Sequence, residues 1–412
     1  MAGSFMNSSL PAHKDVSLVE IARRVGTPLY VYRASDVTER YLAFDQAFGG
    51  YPHRVHYALK ANSTLAIARL VQTLGGGADA NSGGEIDVAL RSGFRPRDIV
   101  FTGVGKSIAE LEQAVALDLH SINAESLGEL ERIHELARIR GTQTRVALRV
   151  NPDVAAGSHP HISTGQSTHK FGVPVESAAE ICRRVMTLDG LKLVGLHVHI
   201  GSQLVAGEPI RDAVSSVVAL ARNLGAQCPL EHIDVGGGLG ISYDGSDTLS
   251  VSEYAQTIVD TIRPTGLSIL LEPGRWIVGP AGVLVASVVD VKRQNDDRYF
   301  VVLDAGMSEF LRPALYGAVH RLEPLEQRSG GSVLCDLVGP ICETSDVLGL
   351  ARLMPLPKVG DLIAILDVGA YGATMASNYN RHPLPAEVLV DGRTWSVIRR
   401  RQTYDDMVSL EV

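Results

Sequence analysis

Short apolar or β-branched runs alternate with longer stretches of helical periodicity between residues 36 and 275. Eight of these runs are predicted strands: Val55–Leu59, Gly77–Ala80, Ile99–Phe101, Ser121–Ala124, Val146–Val150, Leu193–His199, His232–Val235 and Leu267–Leu271. Amphipathic stretches such as 107–116, 126–139 and 177–185 lie between them. A doubly wound sheet would usually have fewer strands, and eight strand-helix units are typical of a (β/α)8 barrel. The alternation therefore predicts an α/β chain with a TIM barrel over residues 36–275.

The pattern changes after Trp276. Strand-like runs follow without helices of comparable length between them, at Gly282–Val291, Tyr299–Leu303, Leu362–Val368, Glu387–Leu389 and Trp395–Ile398. Such a series predicts a C-terminal antiparallel β domain over residues 276–412. The run Pro28–Tyr32 precedes the barrel, so we expect residues 1–35 to form an N-terminal segment that adds a strand to this β domain.

Composition limits the partners of the chain. Its 412 residues are 45% hydrophobic, which is enough for two domains with separate cores, and its net charge is −8. There is no basic cluster with interleaved aromatics and no apolar run near ~18 residues, so we expect no nucleic acid, no membrane and a soluble, cytoplasmic chain. The four cysteines lack zinc-type spacing and are too sparse for a disulfide framework, so we expect no metal site. Cys182, Cys228 and Cys335 are predicted to be small buried hydrophobes.

The polar motifs of the barrel follow its strands, where TIM-barrel active sites gather. These are Lys60, Asp79, Arg149–Pro152, His197–Gln203, Asp234–Gly240 and Glu272–Arg275. A lysine at a strand end can condense with an aldehyde such as that of pyridoxal phosphate. Lys60 alone would most often be a solvated surface charge, and the motifs that follow it favour a catalytic role.

Several of these motifs suit a phosphorylated ring. Gly236, Gly237 and Gly238 follow the seventh strand, where TIM barrels often bind phosphate, although a bare glycine triplet is more often a flexible turn. Ser202 resembles a phosphate ligand and could equally be a helix N-cap.

Two further side chains suit the ring itself. Glu272 is placed to face a pyridine nitrogen, or alternatively to pair with Arg275. His199 could stack on the ring or be a satisfied core residue.

The runs Tyr57–Asn62, His199–Ser202, Gly236–Gly238 and Glu272–Arg275 together resemble the fold type III pyridoxal-phosphate decarboxylases, which include ornithine, arginine and diaminopimelate decarboxylases. The resemblance extends from residue 25 to residue 405. It implies that Lys60 bonds covalently to the cofactor aldehyde, that His199 stacks on the ring and that Glu272 holds its nitrogen. The implied cofactor-binding residues are Lys60, Asp79, His199, Ser202, Gly236, Gly237, Gly238, Glu272, Gly274, Arg275 and Tyr371. Asp79, Glu85 and Arg149 would support the lysine side of the site.

Motifs of the β domain resemble the branch of this family that acts on diaminopimelate. They are Arg312–Tyr316, Val338–Asp346, Gly369–Gly372 and Ser377–Asn380, together with the barrel loop Ser158–Gly165 and Lys170–Gly172 after it. A diamino diacid has a second carboxylate, which Arg275, Arg312 and Tyr316 would bind, and a second ammonium, which Glu343 would receive. The resemblance also implies that Tyr371 contacts both phosphate and substrate. Considered alone, the two arginines could be half-exposed surface residues.

The resemblance implies a site shared between two subunits. Cys342 and Glu343 would reach the cofactor of a neighbouring subunit, and the Cys342 thiol would return a proton to the substrate carbon after carbon dioxide leaves. A buried, inert cysteine is the alternative for Cys342. We therefore expect an obligate homodimer that converts meso-2,6-diaminopimelate to L-lysine and carbon dioxide, the last step of lysine biosynthesis.

Other functions remain open at this point. A relative could decarboxylate an ornithine-like or carrier-tethered substrate, although Arg312, Tyr316 and Glu343 speak against it. Racemases with the same barrel use a tyrosine base, and a catalytically dead homologue would lack the lysine or the acid. Two residues depart from the pattern: Asn81 stands where we expect an apolar residue and His161 where we expect a tyrosine. We assign neither of them a catalytic role.

Overall fold

The computed structural model describes residues 16–154, 169–295, 298–326 and 330–412. The chain divides into two compact units, Val37–Val278 and a second made of Met1–Asp36 with Gly279–Val412. We call them the barrel unit and the β unit. The loop Ser158–Gly165, with His161, lies outside the described residues. Within the described residues, no helix has the length and apolar character needed to span a membrane.

The described part of the chain begins with a helix and a strand that belong to the β unit. Helix α1 (Leu18–Val25) starts where the Ser17 side chain accepts the backbone N–H of Glu20. Strand β1 (Leu29–Arg33) is buried along four of its five residues. Helix α2 (Ala34–Ala47) follows and leads into the first strand of the barrel.

Parallel strands form a closed barrel. They are β2 (His53–Ala58), β3 (Gly77–Ala80), β4 (Ile99–Phe101), β5 (Ser121–Ala124), β6 (Thr144–Asn151), β7 (Val173–Pro174), β8 (Leu191–His197), β9 (His232–Asp234) and β10 (Ser268–Leu271). The ring closes because β10 pairs with β2 and because β6 pairs with both β5 and β8. The two-residue β7 is an addition beside β6. The prediction of an eight-stranded TIM barrel is confirmed, and all eight predicted strands overlap an observed one.

Helices follow most of the barrel strands. They are α3 (Leu65–Thr73), α4 (Gly83–Arg91), α5 (Ile108–Leu117), α6 (Leu127–Arg140), α7 (Val175–Val185), α8 (Glu208–Leu224), α9 (Val251–Ile262) and the short α10 (Arg275–Val278). Four of them begin at a serine whose hydroxyl accepts the N–H of a glutamate three residues later: Ser82, Ser107, Ser126 and Ser250. Such a cap stabilises a helix by about 1 kcal/mol, so the Ser-x-x-Glu pattern fixes where these helices start.

Three histidines pack together inside the barrel. The ring centroids of His56 and His120 are 5.4 Å apart, and those of His120 and His232 are 5.6 Å apart. Space for these rings comes from glycine, because a Cβ on Gly77 would lie 2.3 Å from His56 and one on Gly195 would lie 2.3 Å from His232. Burial is the main cause that lowers the pKa of each histidine, to about 4 for His120 and to about 3 for His232. All three rings are therefore neutral at neutral pH.

A second sheet forms the β unit. Its further elements are β11 (Gly282–Asn295), β12 (Arg298–Leu303), α11 (Arg312–Tyr316), β13 (Leu322–Pro324), β14 (Ser332–Val338), β15 (Val347–Pro355), β16 (Leu362–Ile365), β17 (Ala386–Asp391), β18 (Thr394–Arg399) and α12 (Tyr404–Val408). The strand order is β15-β14-β12-β11-β1-β17-β18, with β16 beside β11 and β13. Most pairings are antiparallel, whereas β1 with β17 and β12 with β14 are parallel. The predicted antiparallel-rich domain with an added N-terminal strand is confirmed.

Candidate active site

Lys60 lies on a single turn of 3-10 helix, Leu59–Ala61, directly after β2. The turn is held by Asn62, whose carbonyl accepts the Tyr57 hydroxyl at 3.0 Å and whose side chain accepts the Thr64 amide at 3.0 Å. The Lys60 ammonium lies 3.7 Å from a carboxylate oxygen of Asp79, which is fully buried at the end of β3. The lysine side chain is 36% exposed, so a ligand can reach its nitrogen.

Glu272 follows β10 and is held by side chains from three other strand ends. One carboxylate oxygen accepts hydrogen bonds from Thr102 at 3.0 Å and Asn123 at 3.4 Å, and the other lies 3.3 Å from Nε2 of His197. All four residues are buried. The alternative pairing of Glu272 with Arg275 is therefore not the arrangement found, because the Glu272 carboxylate contacts His197, Thr102 and Asn123.

The buried carboxyl groups around Glu272 differ in charge. Burial alone would raise the pKa of Glu272, but the charge and hydrogen bond of His197 and the charge of Lys60 outweigh burial and lower it. Burial, and then the charge of Glu272, raise the pKa of Asp234 well above its usual range and that of Asp79 to about 7. Glu272 is therefore ionised at neutral pH, while burial and the charge of Glu272 disfavour the charged form of Asp234, so the negative charge is concentrated at the end of β10.

The three side chains of His197, Asp234 and Glu272 have ligand atoms within 4.8 Å of one another, which is close enough to hold a metal ion. However, Glu272 already accepts hydrogen bonds from Thr102 and Asn123, and Asp234 accepts the amide of Gly236 at 2.9 Å. These neutral donors would compete with a cation for the same oxygens. The group is better suited to hold a protonated ring nitrogen next to Glu272 than to bind a metal.

The glycine run after β9 has no room for side chains. A Cβ on Gly236 would lie 2.6 Å from Nδ1 of His199, and one on Gly237 would lie 2.3 Å from the carbonyl oxygen of Glu272. Gly236 and Gly238 also have φ of 64° and 100°, which glycine adopts readily. The amide of Gly237 donates to His199 at 3.3 Å. The run therefore allows a ligand to come close to the backbone and fixes the His199 ring.

His199 is half-buried and lies two residues beyond the end of β8. Burial and then the positive charge of Lys60 lower its pKa well below the usual range, so the ring is neutral. A neutral imidazole has a flat face suited to stacking on an aromatic ligand.

Ser202 and Arg275 are joined directly. Two guanidinium nitrogens of Arg275 donate to the Ser202 hydroxyl at 3.2 and 3.0 Å, and a third donates to Tyr243 at 2.6 Å. Ser202 is thus not a helix cap, since α8 begins six residues later at Glu208. Gly274 precedes Arg275, and a Cβ on it would lie 2.8 Å from that of Ala61, beside the lysine turn.

Glu85 and Arg149 have protein partners near the lysine end. Glu85 accepts the amide of Asn81 at 2.7 Å, and the Asn81 side chain donates to Asp79 at 3.2 Å. Asn81, to which the sequence assigned no role, therefore contacts the carboxylate that faces Lys60. Arg149 forms a buried ion pair with Glu125 at 2.6 Å.

Sequence analysis missed a set of buried polar residues after β4 and β5. They are Thr102, Lys106, Asn123, Glu125 and Glu129. The Lys106 ammonium donates to Glu129 at 2.7 Å and to the carbonyl oxygens of Gly103 and Asn123, both at 2.8 Å. Their position just after strands was the available signal, because TIM-barrel sites are built there.

The β unit carries the other predicted site residues. Arg312 is buried at the start of α11, with its guanidinium 5.8 Å from the ring of Tyr316. Tyr371 is half-buried with a φ of 57°. Cys342 is exposed, whereas Cys182, Cys228 and Cys335 are buried as predicted. Burial of Cys342 within the chain, which the alternative expected, is therefore not found, and its catalytic role stays a prediction.

Cys342 and Glu343 each contact a residue of the segment 377–381. The side-chain amide nitrogen of Asn380 lies 3.2 Å from the sulfur of Cys342. The Tyr379 hydroxyl donates to Glu343 at 2.6 Å.

Comparison with known proteins gives consistent matches over the whole chain. The family model for the pyridoxal binding domain of pyridoxal-dependent decarboxylases matches residues 34–279. The diaminopimelate decarboxylase of Vibrio cholerae is 42% identical over 400 residues, which cover 97% of this chain and 95% of that protein. The enzyme of the same name from Aquifex aeolicus is 41% identical, with 95% and 93% covered. The crystal structure of diaminopimelate decarboxylase from Helicobacter pylori complexed with L-lysine has a TM-score of 0.92 and 41% identity, and covers 95% of this chain and 98% of that chain.

Proposed function

This chain belongs to the diaminopimelate decarboxylases of the pyridoxal-dependent decarboxylase family, and we propose that it converts meso-2,6-diaminopimelate to L-lysine and carbon dioxide. The observation that carries the chemistry is the ionised, buried Glu272 at the same end of the barrel as Lys60. Pyridoxal 5′-phosphate is the cofactor, and when bound it supplies an electron sink for the bond that breaks at the substrate α-carbon.

The barrel residues fit this cofactor. Lys60 provides an accessible amine for its aldehyde, and Glu272 provides the negative charge that keeps a pyridine nitrogen protonated. The neutral ring of His199 suits stacking, and the glycine run carries no side chain that could shield its backbone N–H groups from a phosphate. Ser202, already held by Arg275, would take the phosphate with the glycines.

The substrate would be recognised by charged and hydroxyl side chains. Arg312 and Arg275 would hold the distal carboxylate in charge-assisted hydrogen bonds, and Tyr316 and Tyr371 would add hydroxyl groups. Glu343 would receive the distal ammonium. Ornithine lacks a distal carboxylate, so a buried Arg312 favours a diacid.

Cys342 would act as the proton donor. Its exposed thiol would protonate the α-carbon after carbon dioxide leaves. We propose that Cys342 and Glu343 serve the cofactor of a second subunit, so that the active enzyme is a homodimer and the monomer is inactive. The substrate in this proposal is a small amino acid. A cytoplasmic location of the enzyme stays a prediction.

A substrate panel tests the function. The purified chain, reconstituted with pyridoxal phosphate, is given diaminopimelate stereoisomers, ornithine, arginine and lysine, and released carbon dioxide is measured. We expect meso-diaminopimelate to be turned over at least ~100-fold faster than ornithine, because ornithine has no distal carboxylate for Arg275 and Arg312 to bind. Equal or faster turnover of ornithine would overturn the assignment of substrate.

A further inference from the structure

In the β unit, the side chains of Tyr379 and Asn380 form hydrogen bonds with those of Glu343 and Cys342. Asn380 contacts the sulfur of Cys342 at 3.2 Å through its amide nitrogen, and Tyr379 donates its hydroxyl proton to a carboxylate oxygen of Glu343 at 2.6 Å. All four residues are exposed within the chain, so burial does not determine where these side chains point. These two hydrogen bonds join loop 339–346, which we call the Cys342 loop, to segment 377–381, which we call the Tyr379 segment.

The Cys342 loop is built around one buried carboxylate. Asp346 accepts the amides of Met307 at 2.6 Å and Ile341 at 2.7 Å, and its own amide donates to the carbonyl oxygen of Glu343 at 3.1 Å. A Cβ on Gly339 would lie 2.3 Å from this carboxylate, so the loop is tightly packed against it. The backbone of Cys342 and Glu343 is thereby placed, but their side chains are left to other contacts.

The Tyr379 segment is also held at defined points. The Asn378 side chain donates to the carbonyl oxygen of His382 at 2.8 Å and to Gln402 at 2.5 Å. Asn380 and Arg381 both adopt left-handed backbone conformations, with φ of 51° and 58°. Non-glycine residues stay in this region when the surrounding structure holds them there, and asparagine tolerates it better than most. This conformation directs the Asn380 side chain to Cys342 while Tyr379 reaches Glu343.

We propose that Tyr379 and Asn380 are positioning residues that set the side chains of Glu343 and Cys342 for the reaction, an inference that rests on the proposed function of those two residues. When Cys342 gives up its proton, the S–H bond breaks, the proton goes to the substrate α-carbon and the electron pair stays on sulfur. The Asn380 amide then donates a hydrogen bond to the thiolate and stabilises it until water returns a proton.

The role of Tyr379 is to orient the carboxylate of Glu343. One oxygen accepts the tyrosine hydroxyl, and the carboxylate keeps further acceptor sites for a substrate ammonium. The hydrogen bond to Glu343, together with the charge of that residue, raises the pKa of Tyr379. Tyr379 therefore remains a donor at working pH.

The contact between Asn380 and Cys342 is tested without turnover. Full-length wild type, Asn380→Ala and Asn380→Asp are loaded with pyridoxal phosphate and treated with iodoacetamide at about pH 8, and alkylation of the Cys342 peptide is followed by mass spectrometry. Loss of the donor should slow alkylation about 3-fold in Asn380→Ala, and a carboxylate against the sulfur should slow it about 10-fold in Asn380→Asp. The buried Cys182, Cys228 and Cys335 serve as internal controls for intact folding.

Tyr379→Phe is the matched control. It removes the hydroxyl that contacts Glu343 but leaves the Asn380 side-chain amide and the hydrogen bonds of Asn378 in place. Its alkylation rate should match that of the wild type. Wild-type rates in both Asn380 variants, or an equal slowing in Tyr379→Phe, would overturn the role of Asn380.

Steady-state kinetics separate the two positioning roles. Asn380→Ala should lower kcat for meso-diaminopimelate about 10-fold with little change in KM, whereas Tyr379→Phe should raise KM about 5-fold with a smaller change in kcat. An unchanged KM in Tyr379→Phe would overturn the role of Tyr379. If Cys342→Ala keeps full turnover, the proposed function of Cys342 fails, and the alkylation rates still decide whether Asn380 controls the sulfur.

Discussion

The barrel unit and the β unit hold their candidate catalytic groups in opposite ways. In the barrel, Glu272 and Asp234 are buried, and burial combined with neighbouring charges sets their protonation. In the β unit, Cys342 and Glu343 are exposed, and single hydrogen bonds from the Tyr379 segment hold them.

The contrast explains how the work is divided. The charge of the buried Glu272 is set by side chains that the fold holds in place, which suits a cofactor that stays bound. Exposed groups on a loop depend on whatever covers them, which suits residues that meet a substrate when it arrives. On this view, substitutions at Lys60 or Glu272 should weaken cofactor binding, whereas substitution of Cys342 should lower turnover and leave cofactor binding unchanged.

The largest effects should separate binding of cofactor from turnover. Lys60→Ala should lose both the visible absorbance of lysine-bound cofactor and at least ~10⁴-fold in turnover, because no other amine replaces it. Cys342→Ala should keep the absorbance and lose about 100-fold in kcat. Absorbance spectra and carbon dioxide release are measured for both variants. Lys192→Ala is the control, because Lys192 is an exposed lysine paired with Glu231. Normal turnover in Cys342→Ala would break the comparison.

Mixing the Lys60→Ala and Cys342→Ala variants tests whether one active site uses residues of two subunits. If Cys342 serves a partner's cofactor, half of the randomly formed dimers are mixed and each of those has one intact site. Turnover should recover to about a quarter of the wild-type value. Recovery no greater than the sum of the separate variants would rule out a shared site.

A smaller effect compares two neighbouring carboxyl groups inside the barrel. Glu272→Gln removes a charge and should lower kcat/KM about 100-fold or more. Asp234→Asn keeps a similar shape and should cost less than about 5-fold, because burial and the charge of Glu272 already disfavour the charged form of Asp234. The measurements are steady-state kinetics and the absorbance of the bound cofactor for each of the two variants. A loss in Asp234→Asn equal to that in Glu272→Gln would mean that Asp234 is ionised, contrary to the effect of its burial.

The sequence predicted the barrel well because its strands are buried on both faces and appear as short apolar runs. It missed β14 and β15, which are partly exposed and contain charged residues such as Asp336 and Arg352, so they lack a continuous apolar pattern. At the site, Lys60 and Glu272 could be found from local motifs. The hydrogen bonds of Glu272 with Thr102 and His197 could not be predicted. Those residues are 170 and 75 positions away in the chain and contact Glu272 only when the barrel closes. Asn380 was visible as a motif residue, but its hydrogen bond to Cys342 depends on a left-handed backbone that no pattern specified.

The smallest effect concerns the stability of the barrel unit in acid, which depends on a buried histidine. His232 is neutral in the folded barrel because burial, and then the charge of His120, lower its pKa to about 3. The unfolded chain binds a proton there below about pH 6.5, so folding stability falls as the pH drops from about 6.5 towards 3, by about 1.4 kcal/mol per pH unit for this residue. His232→Gln removes this titration, so between about pH 7 and pH 4.5 its free energy of unfolding should fall by about 2.5 kcal/mol less than that of the wild type. Urea unfolding in a Trp395→Phe background leaves Trp276, in the barrel unit, as the one tryptophan reporter. Equal pH dependence with and without His232 would show that the buried histidine does not contribute to the acid sensitivity of the barrel.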